Sequence, residues 1–496
     1  MRNNSGSSAF ALLESTLASE LSKELHNGCT VNHLIRNGDE LKNALHVALG
    51  EQYPKAPILI FSDGVKKLSG VDSFSIDELF QNLCKQEDIS FEGINLSEVL
   101  SCKPIDVHAS VGAVEVLKAF LQGQSPVPVV VLGSGSITDI VKHTLQELKW
   151  TSTPFIVLPT ALTVTAFTSH FAVLEEAGAK RTRVSRNVDT CFWFTPVLAS
   201  APIDMTRAGY GDLLARFVAY GDWYLAWKLG VAVRYDELAF RLMEPFSFHL
   251  RHHAAALVQW PVPSDAIEDL SAILAMAGIA MSVSGETTPL SGYEHTISHA
   301  LDYLRLTSGR PLAWHGQQVA LASLASAESY DHLLSLEQID LQSARPHGDE
   351  RIKKTIYQLL QTAPYFGAGE FGLSADERKA GMEKMQSGIA QACELFTQDY
   401  LKKHSQWLKA HSDISKFEQE WPSIREHLRK LVITATEMQS LIELSGLALV
   451  PEQLSQPTTA LEYRWAVRFA PFVRARMSLA DLIYWLGDDP ALWATI

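Results

Sequence analysis

The sequence predicts an α/β chain: a parallel sheet covered by helices in its N-terminal part, followed by an all-helical C-terminal part. Three observations carry this. Short continuous apolar runs alternate with helix-patterned stretches between residues 51 and 203. Strand signals fade after Pro202, where long apolar stripes of helical period take over. The length of 496 residues exceeds what one core organises, so two domains or more are expected.

Taken in order, residues 1–50 carry helical periodicity and read as an N-terminal helical extension. Ala56 to Phe61, closed by Ser62-Asp63-Gly64, is an apolar run ending in a turn signal, the pattern of a buried parallel strand. A helix over Ile76–Lys85, a weaker strand near Ile89–Ile94 and a helix over Ala109–Gln122 follow. Val127–Leu132 is the clearest strand, running directly into GSGSITD and a helix, and Thr153–Leu158 repeats the signal before Pro159. Phe171–Val173 and Thr190–Phe194 read as a further strand pair. A boundary is placed at Ala201–Asp204, so that 51–203 forms a nucleotide-binding domain and 204–496 a helical one. Loops near 284–292 and 363–373 punctuate the helices. The apolar run Leu270–Val283 falls short of the roughly 20 residues a membrane span needs, and reads as a buried helix.

Bulk properties narrow the function classes. A formal charge of −14 and a pI near 5.7 argue against a nucleic-acid or anionic-membrane partner, either of which favours a basic face. Hydrophobic content of 47% and a mean hydropathy of +0.02 are those of a globular chain. The five cysteines have no paired spacing, so neither a disulfide framework nor a thiolate metal site is indicated. The first 25 residues interleave acids with leucines and lack a signal peptide's apolar run; a cytoplasmic enzyme is expected.

Four stretches offer chemistry. Gly133-Ser134-Gly135-Ser136-Ile137-Thr138-Asp139 joins a strand to a helix, where bare amides at a helix N-terminus suit a pyrophosphate, although such a turn also occurs without a ligand. Asp63, at the end of an earlier strand, is placed to accept from an adenosine ribose, or is simply a turn aspartate. The hydroxyl-rich run from Pro159 to Ser169 can serve a ribose or nicotinamide, or be a threonine-rich loop. In Ser291–Gly316, His295 and His299 stand at i and i+4 of a helical pattern, and His315 returns just before a glycine. Neutral imidazoles so spaced grip a divalent metal, or sit satisfied in a core. Asp212, in AGYGDLLA, is either a helix cap or the hard anionic ligand that two imidazoles lack.

The order of these motifs is more specific than any one of them. GSGSITD, LPTALTVTAFTS, AGYGDLLA, SGYEHTISH and WHGQQVA, in that succession, resemble the dehydroquinate synthase-like superfamily of metal-dependent alcohol and polyol dehydrogenases, and within it the glycerol-1-phosphate dehydrogenases. The resemblance spans about Ile58 to the C-terminus, where residues 473–487 are similar to the family's closing helix. It implies a Rossmann-like domain followed by a helical bundle. It implies Asp212, His295 and His315 as metal ligands, for zinc, iron or nickel, and moves His299 to the substrate's side. It implies Gly133, Ser134, Gly135, Ser136 and Asp139 at the pyrophosphate and nearby ribose of NAD or NADP, Thr160, Thr163 and Ser169 on the nicotinamide side, and Asp63 on the adenosine ribose. Homodimers are common in the family. The implied reaction is interconversion of dihydroxyacetone phosphate and sn-glycerol 1-phosphate. The family's substrate aspartate is replaced by Thr165, which keeps a polyol or alcohol dehydrogenase, a carbocycle-forming lyase and a non-catalytic relative in view. Among basic residues, Lys180, Arg181, Arg183 and Arg207 are available to a phosphate, and the run they begin is also the pattern of a solvated face.

Overall fold

The computed structural model describes residues 8–19, 29–50, 57–70, 74–176, 178–343, 347–365 and 374–494. The chain divides into two compact units that do not follow chain order. The first comprises Met1–Glu176, Lys180–Leu213 and Leu238–Thr287; the second comprises Ala177–Ala179, Leu214–Glu237 and Thr288–Ile496.

The first unit holds a six-stranded, all-parallel sheet in the order β1-β8-β5-β4-β2-β3, built from β1 (Val31–Ile35), β2 (Ile58–Ser62), β3 (Phe91–Asn95), β4 (Val129–Gly133), β5 (Phe155–Pro159) and β8 (Thr190–Phe194). Every residue of β4, β5 and β8 is buried, as expected of strands covered on both faces. The sheet's edges, β1 and β3, are partly exposed. β1 corrects the helical reading of residues 1–50: Val-Asn-His-Leu-Ile interleaves polar residues because it is an edge strand, and so lacks the apolar run that betrays the central ones. After β3 the chain returns past β2 to form β4 on β2's other side. The sheet therefore reverses its winding between β2 and β4, the place where open α/β sheets gather ligands at the carboxyl ends of their strands.

A separate ribbon pairs β6 (Phe171–Glu176) with β7 (Ala179–Val184). The charge run Ala-Lys-Arg-Thr-Arg is thus a strand of a two-stranded ribbon, in which Ala179 is buried, Lys180, Arg181 and Thr182 are half-buried and Arg183 is exposed, which is why it carries no apolar alternation. Helix Ser264–Ser284 contains the apolar run and starts six residues before it. It is long and apolar enough to cross a membrane, and 83% of its most apolar window is buried.

One buried cluster ties the N-terminal helix Ala9–Ala18 to this unit. Asp269 Oδ1 accepts from the Ala9 amide at 2.8 Å, while its Oδ2 accepts from His249 Nδ1 at 2.7 Å and His253 Nε2 at 2.9 Å. Burial alone would raise the carboxyl's pKa; the two imidazoles and the amide outweigh it and hold the group well below the usual carboxylate range. A depressed carboxyl contributes stability above its unfolded value and loses it as pH falls toward its folded one. Asp269→Asn should therefore lower unfolding free energy at pH 7 by about 1–3 kcal/mol. The gap to the native chain, read by denaturant melts, should narrow as pH drops below about 4. A gap that stays constant from pH 7 to pH 3 would refute this account.

The second unit is helical, with Tyr293–Ser308, His315–Ser335, Ala375–Ala410 and Ile414–Leu431 among its longer members. Helix Tyr293–Ser308 stops at Gly309, which takes the left-handed conformation at φ 71°. The fork of Arg305 then holds the linker, donating to the carbonyls of Pro311, Gln456 and Pro457 at 2.7–2.9 Å. This fixes where the chain restarts as a helix, at His315.

Candidate functional site

The residues singled out by sequence fall into two groups, one in each unit. In the first unit, the carboxyl ends of β2, β4 and β5 carry Asp63, Ser134 and Thr160 on one edge of the sheet, and β4 and β5 end in register with Gly133 opposite Pro159. Ser134 caps helix Gly135–Glu147 without lending its side chain to the helix amides. The first amides of that helix are therefore not satisfied by its cap side chain, and the positive end of the helix dipole lies at the sheet's carboxyl edge. The Thr160 amide bonds the Gly133 carbonyl at 3.2 Å, and its hydroxyl is buried with no hydrogen-bond partner. A buried hydroxyl without a partner and a helix N-terminus without a side-chain cap thus lie together at the sheet's carboxyl edge.

Two glycines on neighbouring helices, Gly209 of AGYGDLLA and Gly278 of helix Ser264–Ser284, are explained by close approach. A Cβ on Gly209 would lie 2.3 Å from the Leu162 carbonyl oxygen, and one on Gly278 would lie 2.1 Å from Thr168 Oγ1. Helices Ile203–Leu214 and Ser264–Ser284 thus press directly on the hydroxyl-rich loop, within which Thr163 and Thr165 stay half-buried. Thr168 and Ser169 bond inward, to the carbonyls of Ala275 and Phe171.

Other expected residues are committed within the fold. Asp63 is paired with Lys67 at 2.6 Å and accepts from the Val65 amide. Asp139 is buried against Lys142 at 3.0 Å and accepts from the Val173 amide, while Lys142 spans to the carbonyls of Ala166 and Ser169. Burial raises the Asp139 carboxyl and lowers the Lys142 amine, each against the pull of the other. Asp212 is buried on helix Ile203–Leu214, and the chain passes into the second unit at Leu214.

In the second unit, His295, His299 and His315 converge. Ring centroids are 5.2 Å apart for His295 and His315, 5.8 Å for His299 and His315, and 6.3 Å for His295 and His299. Two imidazoles on one tetrahedral ion hold their centroids about 5.2 Å apart, given metal–nitrogen bonds of about 2.05 Å. The first pair meets that spacing, and His299 stands off from it.

The proton positions agree. Glu294 Oε1 accepts from His295 Nδ1 at 2.8 Å and from the Gly292 amide at 2.6 Å. Ser298 Oγ donates to Gln318 Oε1 at 2.8 Å, so toward His315 Nδ1, 3.0 Å away, it acts as acceptor. Both rings therefore carry their proton on Nδ1 and present the lone pair of Nε2, as metal-binding histidines do when the other nitrogen is held. His299 is approached instead by the Arg474 guanidinium, at 2.8 Å.

Beneath the cluster lies Asp222. It accepts from the Tyr293 amide, from Tyr330 at 2.5 Å and from the Leu479 amide at 3.2 Å. Burial, and then the charge of Glu294, push its carboxyl up to about 8, with those three donors pulling the other way. Sequence reasoning missed Glu294, Ser298, Gln318, Asp222 and Arg474. Only Glu294, beside His295 in the motif itself, left a readable signal.

No protein-family model matches the chain. Among curated proteins it is 31% identical over 225 residues to the glycerol-1-phosphate dehydrogenase, NAD(P)+, of Bacillus velezensis, which covers 45% of this chain and 55% of that protein. It is 33% identical over 219 residues to the enzyme of the same name from Hyperthermus butylicus, covering 44% and 59%. The chain thus spans between half and two thirds of the length of these relatives. Among solved structures, glycerol dehydrogenase from Schizosaccharomyces pombe aligns with 88% of this chain and 97% of its own at 14% identity and a TM-score of 0.48. By sequence, the chain is similar to glycerol-1-phosphate dehydrogenases.

Proposed function

We propose that the chain is a metal-dependent, NAD(P)-linked dehydrogenase interconverting dihydroxyacetone phosphate and sn-glycerol 1-phosphate. The observation that carries this is the pair His295 and His315, spaced for one ion and both fixed with Nε2 as the ligand atom. Asp212 is proposed as the carboxylate that completes the set, which suits zinc, iron or nickel. When bound, the metal supplies Lewis acidity toward a carbonyl or alkoxide oxygen, and the dinucleotide supplies or accepts the hydride.

The chain's own residues do the rest. Glu294 and the Ser298–Gln318 pair hold the Nδ1 protons and so keep each imidazole in its ligating tautomer. The N-terminus of helix Gly135–Glu147, with Gly133, Ser134 and Ser136, is proposed to bind the pyrophosphate, and Thr160, Thr163 and Ser169 to face the nicotinamide. Asp63 is proposed at the adenosine ribose and Asp139 near the pyrophosphate and adjoining ribose, each braced by its lysine, Lys67 and Lys142. A second reading, an unphosphorylated polyol or alcohol as substrate, is favoured by Thr165 standing where the family has an aspartate. The reading also takes the protein to be a cytoplasmic homodimer, for which light scattering should return twice the chain mass.

Three measurements test the proposal. Oxidation of NADH or NADPH should accompany addition of dihydroxyacetone phosphate, and absence of turnover with every phosphorylated ketone in a panel would remove the preferred substrate. Purified protein should carry about one transition metal per chain at this site, and Asp212→Ala should lose it; unchanged metal content in that variant would exclude Asp212 as a ligand. Glu294→Gln and Ser298→Ala should each weaken metal binding by about 10- to 100-fold in competition with a chromophoric chelator, with melting behaviour retained. Native affinity in both would discard the tautomer argument.

A further inference from the structure

We infer that Arg474 and Arg476 form an anion clamp that takes the substrate's phosphate beside the histidine cluster. The inference rests on the phosphorylated-ketone reading above and supplies the cationic contact that reading requires. Both guanidiniums reach the SGYEHTISH motif from one short segment 175 to 185 residues further along the chain. Arg474 Nη2 donates to the His299 ring at 2.8 Å, and Arg476 Nη2 donates to Ser291 Oγ. Ser291 precedes helix Tyr293–Ser308 and His299 lies within it, so the two arginines bracket the helix turns that carry His295.

The segment is held from below. Lys403, with 2% of its side chain exposed, donates to the carbonyls of Pro471 and Arg476 and pairs with Asp481 at 2.7 Å. Asp481 in turn accepts from the Ser478 amide at 2.8 Å and from its hydroxyl at 3.2 Å, capping helix Leu479–Trp485. One buried ammonium therefore pins the backbone on both sides of Arg474, and the pinned stretch leaves the two arginine side chains half-exposed. That is the condition for a preorganised binding group: little ordering remains to be done when a ligand arrives.

The chemistry fits a phosphate monoester. A guanidinium is charged at every relevant pH and offers parallel N–H bonds matched to two phosphate oxygens. In a chain of net charge −14, a dianion needs such a local cationic spot to approach at all. Two of the four basic residues flagged by sequence are placed otherwise: Arg183 pairs with Glu176 at 2.5 Å, and Arg207 with Asp204 and the Leu257 carbonyl.

The test compares the native enzyme with Arg474→Gln and Arg476→Gln, and with Arg474→Lys should glutamine at that position fail to fold. Steady-state kinetics use dihydroxyacetone phosphate and unphosphorylated dihydroxyacetone, and calorimetry measures binding of inorganic phosphate. The ratio of kcat/KM for the phosphorylated over the unphosphorylated ketone should fall by about 10- to 100-fold in the glutamine variants, chiefly through KM, and phosphate binding should weaken in parallel. A native ratio and native phosphate affinity in both variants would overturn the clamp. If the native enzyme turns over neither ketone, the functional reading fails on its own, and calorimetry alone decides the clamp: phosphate binding lost in the variants upholds it, and equal or absent binding in all proteins overturns it.

Discussion

The second unit is organised around one buried carboxyl group. Asp222 gathers the first amide of the helix that carries His295 and His299, a tyrosine from the helix that begins at His315, and the first amide of the helix that follows the arginine segment. Three elements distant in sequence are thereby set against one another by a single side chain. A buried acid is costly to keep, and its pKa of about 8 records that cost. What the fold obtains is registration: each helix bearing a polar group of the cluster begins, or is braced, at the same point.

A common logic runs through both units, in which the face a group presents is decided by what occupies its other face. Glu294 and Ser298 take the Nδ1 side of two imidazoles and so define Nε2 as the outward atom. Lys142 and Lys67 take the carboxylates of Asp139 and Asp63, while the helix N-terminus that Ser134 leaves without a side-chain cap and the buried, unpartnered Thr160 hydroxyl remain at the sheet's carboxyl edge. The same argument covers His299, whose position beside Arg474 sets it apart from its two neighbours although it shares a helix face with one of them.

Legibility from sequence followed the range of the interactions. The central strands were readable because burial on both faces forces unbroken apolar runs, and the turn after β4 because glycine and serine follow such a run. β1 and β7 were not, since an edge strand and a two-stranded ribbon need no such run. The histidine motif left a metal pair and a satisfied core both open, and helical spacing alone favours His295 with His299; His315 took the place of His299 only through the resemblance, since its approach depends on a linker held by Arg305. The ties of Asp63 to Lys67 and Asp139 to Lys142, at spacings of four and three residues, were within reach of a sequence reading. The contacts of Ser298 with Gln318 and of His299 with Arg474 were not, because nothing local marks residues that meet only after packing.

The two close glycine contacts carry a mechanical consequence. Gly209 and Gly278 let two helix backbones touch the loop between Pro159 and Ser169 without an intervening side chain, so van der Waals contact there is between main chains and short polar groups. Main-chain contacts have no rotamers to yield. The loop is therefore not a flexible lip on the sheet: it is packed as one body with the helix that bears Asp212 and with helix Ser264–Ser284.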